Sequence, residues 1–147
     1  MESIKIQDFT VELLKEKHKI QMKASGCSML PFFRAGDEFI IEQRNDYKIG
    51  DILVFRTEET LVIHRLHKIS SNSLLLWGDF NRNPDALIPK ECVVGKAIFV
   101  VREYKTINLL SAFYTVLGKL VVYLSPLSHY VLFFGVIGVQ KIRKLLA

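Results

Sequence analysis

Short apolar segments, each bounded by turn residues, recur along the first two thirds of the chain. Two of the turns carry the same pair, Gly36-Asp37 and Gly50-Asp51, just before an apolar segment. Many short strands with turns every eight to twelve residues or so are typical of closed or partly coiled β-structure. We therefore predict a mainly β, coiled, barrel-like domain. The predicted strands occupy residues 20–24, 38–42, 52–56, 61–66, 74–77 and 92–101.

Residues 7–18, before the first strand, show a helical rather than an alternating pattern. The spacing of Phe9, Leu13 and Leu14 predicts that these three side chains share one apolar face. We expect a short amphipathic helix there, followed directly by the first strand.

Charge is distributed unevenly along the chain. All 15 acidic residues lie before residue 107, whereas the residues from 107 onward include only basic charges, at Lys119, Lys141, Arg143 and Lys144. A nucleic-acid-binding domain would need clustered bases on its folded surface, so we expect no nucleic-acid partner. A basic, acid-free tail favours an anionic lipid surface instead.

The same tail contains two apolar stretches, residues 107–118 and residues 120–139, separated by Lys119. The second has about the length of a transmembrane helix, although Ser-Pro and Ser-His pairs interrupt it. Two shorter helices lying in the membrane interface would also fit, as would a helical hairpin packed on the β-domain or a dimer interface. Membrane association is favoured because the stretch lacks the polar face of a soluble helix. We divide the chain into a β-rich domain, 1–106, and an apolar helical tail, 107–147.

One turn carries a candidate nucleophile. Ser28 lies in the run Gly-Cys-Ser-Met-Leu-Pro, where Gly26 permits a bend and Met29 can pack beneath the turn. A serine hydroxyl is a weak nucleophile without a base and an orienting acid. His64 is the candidate base downstream. Two acids, Asp79 and Asp85, are candidates for the orienting carboxylate.

Several such blocks follow one another in the order seen in signal peptidase I, in the branch with a Ser-His-Asp arrangement. They are residues 26–31, 35–37, 49–55, 63–66, 78–81 with Asp85, and 94–96. The chain resembles this family over roughly residues 20–100. It also resembles the wider superfamily that includes self-cleaving repressors, which share the Gly-x-Ser-Met-x-Pro block. A lysine is the base in those repressors and in most bacterial signal peptidases, whereas His64 stands at the base position here.

The resemblance implies a role for each candidate. Ser28 would attack a peptide carbonyl, and His64 would accept its proton and pass it to the leaving amine. By spacing, Asp85 corresponds to the catalytic acid and Asp79 to the structural Gly-Asp residue, but both stay candidates. The Ser28 N–H is the expected oxyanion donor, and Gly26 replaces the serine that commonly supplies a second donor. No metal or cofactor is expected.

These observations together predict a membrane-associated serine endopeptidase that cleaves signal or leader peptides. Its partner would be an extended peptide segment added as a strand to a sheet edge. If 120–139 spans a bilayer, the basic end predicts a cytoplasmic C-terminus and an extracytoplasmic catalytic domain in the cell membrane. The alternatives are a self-cleaving repressor-type regulator, for which too few residues precede the core to form a helix-turn-helix domain, and an inactive peptide-binding module of the same fold.

Overall fold

The computed structural model describes residues 8–10, 12–14, 16 and 19–125. Helix α1 is described at 8–10, 12–14 and 16, and helix α2 at residues 112–125. A 3-10 turn, Lys90–Cys92, precedes the longest strand. The strands are β1 (Lys19–Lys23), β2 (Glu38–Glu42), β3 (Ile52–Arg56), β4 (Leu61–Ile69), β5 (Ser73–Trp77), β6 (Leu87–Pro89), β7 (Val93–Arg102) and β8 (Lys105–Asn108).

All eight strands belong to one antiparallel sheet with the order β1-β2-β7-β3-β4-β5-β6, and β8 also pairs with β7. The long strand β7 pairs with β2 along one edge, and with β3 and then β8 along the other. Register shifts opposite Ile40/Ile41 and Val54/Phe55 mark bulges in this central region, and bulges bend a sheet. The mainly β prediction is confirmed, but the sheet is not closed. It keeps two end strands, β1 and β6, because no strand pairing among residues 19–125 joins them.

The sheet buries apolar side chains on both faces. Ile52 and Val54 of β3 belong to one buried cluster with Phe39 and Ile41, whereas Leu53 and Phe55 belong to a second cluster. Successive side chains of a strand point to opposite faces, so β3 needs an uninterrupted apolar run to be buried on both. The second cluster is completed by Leu66, Leu74 and Leu76.

Helix α1 contacts the first cluster through Leu14, which is buried. Phe9 is exposed and Leu13 is half-buried, so the predicted shared face of Phe9, Leu13 and Leu14 is wrong. At 100° per residue, Leu13 and Phe9 lie on nearly the same side of a helix, but Leu14 is turned away from them. Among the described residues of α1, Leu14 is the one that is buried, and it lies against Gly95.

The tail differs in part from the expectation. Strand β8 extends to Asn108 and α2 begins at residue 112, so the first apolar stretch does not form a helix throughout. Residues 126–147, and with them most of the predicted span 120–139, lie outside the described residues. Within the part of the chain that is described, no helix is both long and apolar enough to cross a membrane.

Candidate active site

Ser28 lies on a loop between β1 and β2 that is closed at its base by main-chain hydrogen bonds. The Ala24 N–H donates to the Asp37 carbonyl and the Gly36 N–H donates to the Ala24 carbonyl, both at 2.8 Å. Met29 is buried beneath the loop as predicted. Gly26 meets no atom within 4 Å of the position that a Cβ would occupy. A close approach by another chain segment therefore does not explain glycine at position 26.

The carboxylate of Asp37 connects this loop to the end of β7. It accepts hydrogen bonds from the Arg102 guanidinium at 2.5 and 2.8 Å and from the Arg34 N–H at 3.0 Å. Burial favours a higher pKa for Asp37, but the hydrogen bonds from Arg102 and Arg34 outweigh it and hold the pKa below its ordinary value. Arg102 also donates to the Phe32 carbonyl at 2.8 Å. The ion pair therefore ties the loop to the end of β7.

On its other side, the Ser28 main chain contacts the turn that follows β5. The Phe80 N–H donates to the Ser28 carbonyl at 2.8 Å, and a Cβ on Gly78 would lie 2.8 Å from that same oxygen. Gly78 directly follows Trp77, the last residue of β5. The nucleophile loop is therefore held against the end of β5 as well as against β7.

His64 and Asp85 form a direct pair. The His64 Nδ1 and Asp85 Oδ2 atoms are 2.5 Å apart, and the His64 side chain is buried beside the Phe55 ring. The Asp85 N–H donates to the Leu76 carbonyl at 3.1 Å, which ties this residue to the end of β5. When Nδ1 carries the proton shared with a carboxylate, Nε2 is the nitrogen that can accept another proton. No hydrogen bond joins the Ser28 hydroxyl to the His64 ring among the described residues.

Asp79 is paired with Arg65 instead. The two N···O distances are 2.7 and 2.6 Å in a bidentate arrangement, and both side chains are buried. The third guanidinium nitrogen of Arg65 donates to the Gly50 carbonyl at 3.0 Å. The ring of Phe32 lies against the same guanidinium, 5.7 Å from its centre. Both oxygens of Asp79 are therefore engaged by Arg65.

A second buried cation has a similar partner. Lys96 on β7 places its ammonium group 2.7 Å from Asp51 Oδ2, and that carboxylate also accepts from the Lys48 N–H. A lysine is the base in the self-cleaving members of the superfamily that the sequence resembles. In the described residues, the buried lysine is engaged by Asp51.

Sequence reasoning missed these long-range pairings. Asp37 and Asp51 lie in the two predicted Gly-Asp turns, and each carboxylate accepts a hydrogen bond from a main-chain N–H three residues earlier. Their partners Arg102 and Lys96 lie on β7, far along the chain, and no local pattern marks them. The signal available in the sequence was the isolated basic residue inside or at the end of an apolar strand. Within the described chain, no three His, Cys, Asp or Glu side chains are grouped so as to hold a metal ion.

A cavity of about 590 Å³ lies beside Ser28. It is bordered by β1 and the residues after it, and by the first residues of β4, Leu61–Ile63. β1 pairs with β2 and, within the described residues, with no other strand. The pairing of β4 with β5 begins only at Arg65. The cavity therefore lies between two strand segments that each have a free main-chain edge.

Comparison with protein families gives the class to which this fold and site belong. The family model described as Peptidase S24-like matches residues 2–98, so the chain belongs to the Peptidase S24-like family. This family includes serine peptidases and self-cleaving repressors. The matched region includes Ser28, His64, Asp79 and Asp85 and ends inside β7, so β8 and α2 lie beyond it. A comparison with curated proteins gave no significant match.

Proposed function

We propose that the protein is a serine endopeptidase with Ser28 as nucleophile, His64 as general base and Asp85 as the orienting carboxylate. The observation that carries this proposal is the 2.5 Å contact between His64 Nδ1 and Asp85 Oδ2 in a member of a family that includes serine peptidases. Asp79 has a structural role in this proposal, because both of its oxygens are bound to Arg65.

The proposed reaction gives each of these residues one role. The Ser28 hydroxyl attacks the scissile carbonyl while His64 Nε2 takes its proton, and the same nitrogen then protonates the leaving amine. The Asp85 carboxylate holds the imidazole in the required tautomer and stabilises the imidazolium that forms. The Ser28 N–H stabilises the negative charge that develops on the carbonyl oxygen. Water then releases the acyl group from Ser28.

The proposed substrate is an extended peptide segment. The free edges of β1 and of Leu61–Ile63 on either side of the cavity can each bond an added strand. Ile20, Met22, Leu61 and Ile63 contribute an apolar lining, which supports recognition of apolar or small side chains near the scissile bond. In the finer form of the proposal, this segment is the signal or leader peptide of an exported protein. That form rests on the resemblance to signal peptidase I.

The proposed location is the cell membrane, with attachment through the apolar C-terminal segment. The support comes from the sequence alone: an apolar stretch at 120–139 and a basic, acid-free tail. With a spanning tail, the positive charges near its end favour a catalytic domain outside the cytoplasm. Digestion of the domain by an external protease in intact cells tests this orientation.

Cleavage of a leader-peptide substrate by the full chain tests the proposed activity. The Ser28→Ala variant should lose cleavage while keeping the wild-type circular dichroism spectrum, and Cys27→Ala, altered at the exposed neighbouring residue, should keep full activity. Cleavage by folded Ser28→Ala would contradict the proposal. Ser28-dependent cleavage of the chain itself into two fragments would favour the self-cleaving alternative. Failure of an acylating probe to label Ser28 in folded protein would favour an inactive peptide-binding module.

A further inference from the structure

Helix α2 lies outside the family match, yet one of its faces is in close contact with the catalytic domain. A Cβ on Gly118 would lie 2.6 Å from the Gly50 carbonyl oxygen, and a Cβ on Gly50 would lie 2.6 Å from the Gly118 carbonyl carbon. The Arg65 guanidinium lies 3.2 Å from the position of that Gly118 Cβ. This contact of main chain with main chain fixes which face of α2 is turned to the domain and which is turned away.

The face turned away is apolar. Its large side chains are between 43% and 83% exposed, and they recur at the three- and four-residue spacing of one helix face. The residues of this face, called here the Phe113 face, are Phe113, Val116, Leu120, Tyr123 and Leu124. A contiguous apolar surface of this kind marks an interaction site when it is not buried in the molecule.

The positive charge at the margin of the Phe113 face suits an anionic lipid surface. Lys119 is exposed, and at 100° per residue it lies at the margin of the face, beside Val116 and Tyr123. A lysine at such a margin can lay its methylene groups along the apolar surface and extend its ammonium group to the headgroups. The chain has no acidic residue from 107 onward that would oppose this contact.

We propose that the Phe113 face lies in the interfacial region of an anionic bilayer with α2 parallel to the membrane plane. The inference rests on the proposed membrane attachment of the tail. Lipid is favoured over other occupants because residues 120–125 of α2 are also the first residues of the apolar stretch 120–139, so the face and that stretch are continuous.

This placement has a consequence for the proposed active site. Arg65 lies against Gly118 and also holds Asp79, which is next to Phe80, the residue that binds the Ser28 carbonyl. The nucleophile loop is therefore separated from the lipid-bound helix by one side-chain pair. The bilayer would hold the catalytic turn near the surface at which a membrane-bound substrate arrives.

An environment-sensitive fluorophore placed on the Phe113 face tests the inference. The full chain with Cys27→Ser and Cys92→Ser is labelled at Val116→Cys, and the matched control is labelled at Tyr104→Cys, a fully exposed position in the β7–β8 turn. On adding vesicles of equal phosphatidylcholine and phosphatidylglycerol, the probe at 116 should shift to shorter wavelength, and the probe at 104 should not. Phosphatidylcholine vesicles alone should give a smaller shift. In unlabelled protein, Phe113→Ser with Val116→Ser should lower partitioning to the mixed vesicles by roughly tenfold.

Each other outcome overturns the inference in a different way. Co-sedimentation of the chain with vesicles without a shift at 116 would contradict the placement of α2 and leave tail attachment intact. Absence of co-sedimentation would contradict both the placement of α2 and the attachment of the tail. The proposed peptidase activity is tested independently, because peptide cleavage is measured in solution without vesicles. A blue-shifted probe without vesicles would mean that the face is covered by protein. In that case, a blue shift that increases with protein concentration would indicate a second copy of the chain, and a shift independent of concentration would indicate another segment of the same chain.

Discussion

Two neighbouring residues of β4, His64 and Arg65, each pair with a carboxylate from the loop that follows β5. Strand alternation directs their side chains to opposite faces of the sheet. Arg65 binds Asp79 through two short contacts, and the side chain of Asp79 is only 1% exposed. His64 binds Asp85 through one contact, and the side chain of Asp85 is 21% exposed.

The two pairs differ in what they leave available. Arg65 and Asp79 bind one another, and the remaining Arg65 nitrogen binds the Gly50 carbonyl, so this pair holds the loop and the helix in place. The contact of His64 Nδ1 with Asp85 leaves the other ring nitrogen, Nε2, as the one that can accept a proton. In the proposed mechanism, this loop separates a structural role from a catalytic one by placing its two acids on different partners. Four predictions test that separation.

Asp85→Asn should have the largest effect on activity of the four variants, and it should have little effect on stability. Loss of the carboxylate removes the group that sets the His64 tautomer, and kcat should fall by roughly 10⁴-fold. The melting temperature should change little because Asp85 is partly exposed and its main-chain bond to Leu76 is retained. Steady-state kinetics and thermal unfolding of the same preparation measure both. An Asp85→Asn enzyme with activity near that of wild type would remove Asp85 from the mechanism.

Asp79→Ala should have the opposite pattern. It leaves the Arg65 charge buried without its partner, which costs about 3–5 kcal/mol in the free energy of unfolding. The folded fraction should still cleave substrate, with a kcat much closer to that of wild type than that of Asp85→Asn. Urea unfolding measures the stability, and active-site titration normalises the rate. Unchanged stability with a 10⁴-fold loss of rate would exchange the roles of the two acids.

Gly78→Ala should disturb the contact between the Ser28 main chain and the turn that follows β5. The added Cβ would lie 2.8 Å from the Ser28 carbonyl oxygen, so Ser28 has to move. A displacement near 1 Å can lower kcat by roughly 10²-fold. Gly26→Ala is the matched control, since no atom lies within 4 Å of that Cβ position, and it should keep most of its activity. Equal rates for the two variants would show that the Gly78 contact does not position Ser28.

Asp37 adds a third carboxylate whose pairing with Arg102 should affect stability but not proton transfer. Its pKa in the folded state lies below the ordinary 3.8. Its stabilising contribution is therefore present above pH 3.8 and is lost as the pH falls through the lower folded-state value. Asp37→Asn should be about 1–3 kcal/mol less stable at neutral pH and lose less stability on acidification than wild type. Urea unfolding at pH 7 and in the acid range measures this, and parallel curves for the two proteins would contradict it.

Local sequence signals predicted the strands that have an apolar run and a turn of their own. β2 and β3 occupy the predicted residues because each is an apolar run preceded by a Gly-Asp turn. β6 and β8 were not predicted, since one contains Pro89 and the other is largely polar, and both depend on pairing with a neighbouring strand. Whether the sheet closes also depends on pairing between distant strands, which no local pattern reveals.

For the candidate site, the order of motifs identified Ser28, His64 and the two acids as candidates. It did not decide whether Asp79 or Asp85 is the orienting carboxylate. Their different partners are seen only in three dimensions. The ion pair of Asp37 with Arg102 joins residues 65 positions apart. Nothing in the composition of either segment encodes that contact.

The central claim is that His64, oriented by Asp85, activates Ser28. The most direct test is the rate at which a fluorophosphonate probe labels the folded protein, with the modified residue identified by mass spectrometry. The account predicts labelling of Ser28 in wild type, and a rate lower by roughly 10³-fold or more in both His64→Gln and Asp85→Asn. Labelling of Ser28 at the wild-type rate in either variant, or no labelling of Ser28 in folded wild type, would contradict it.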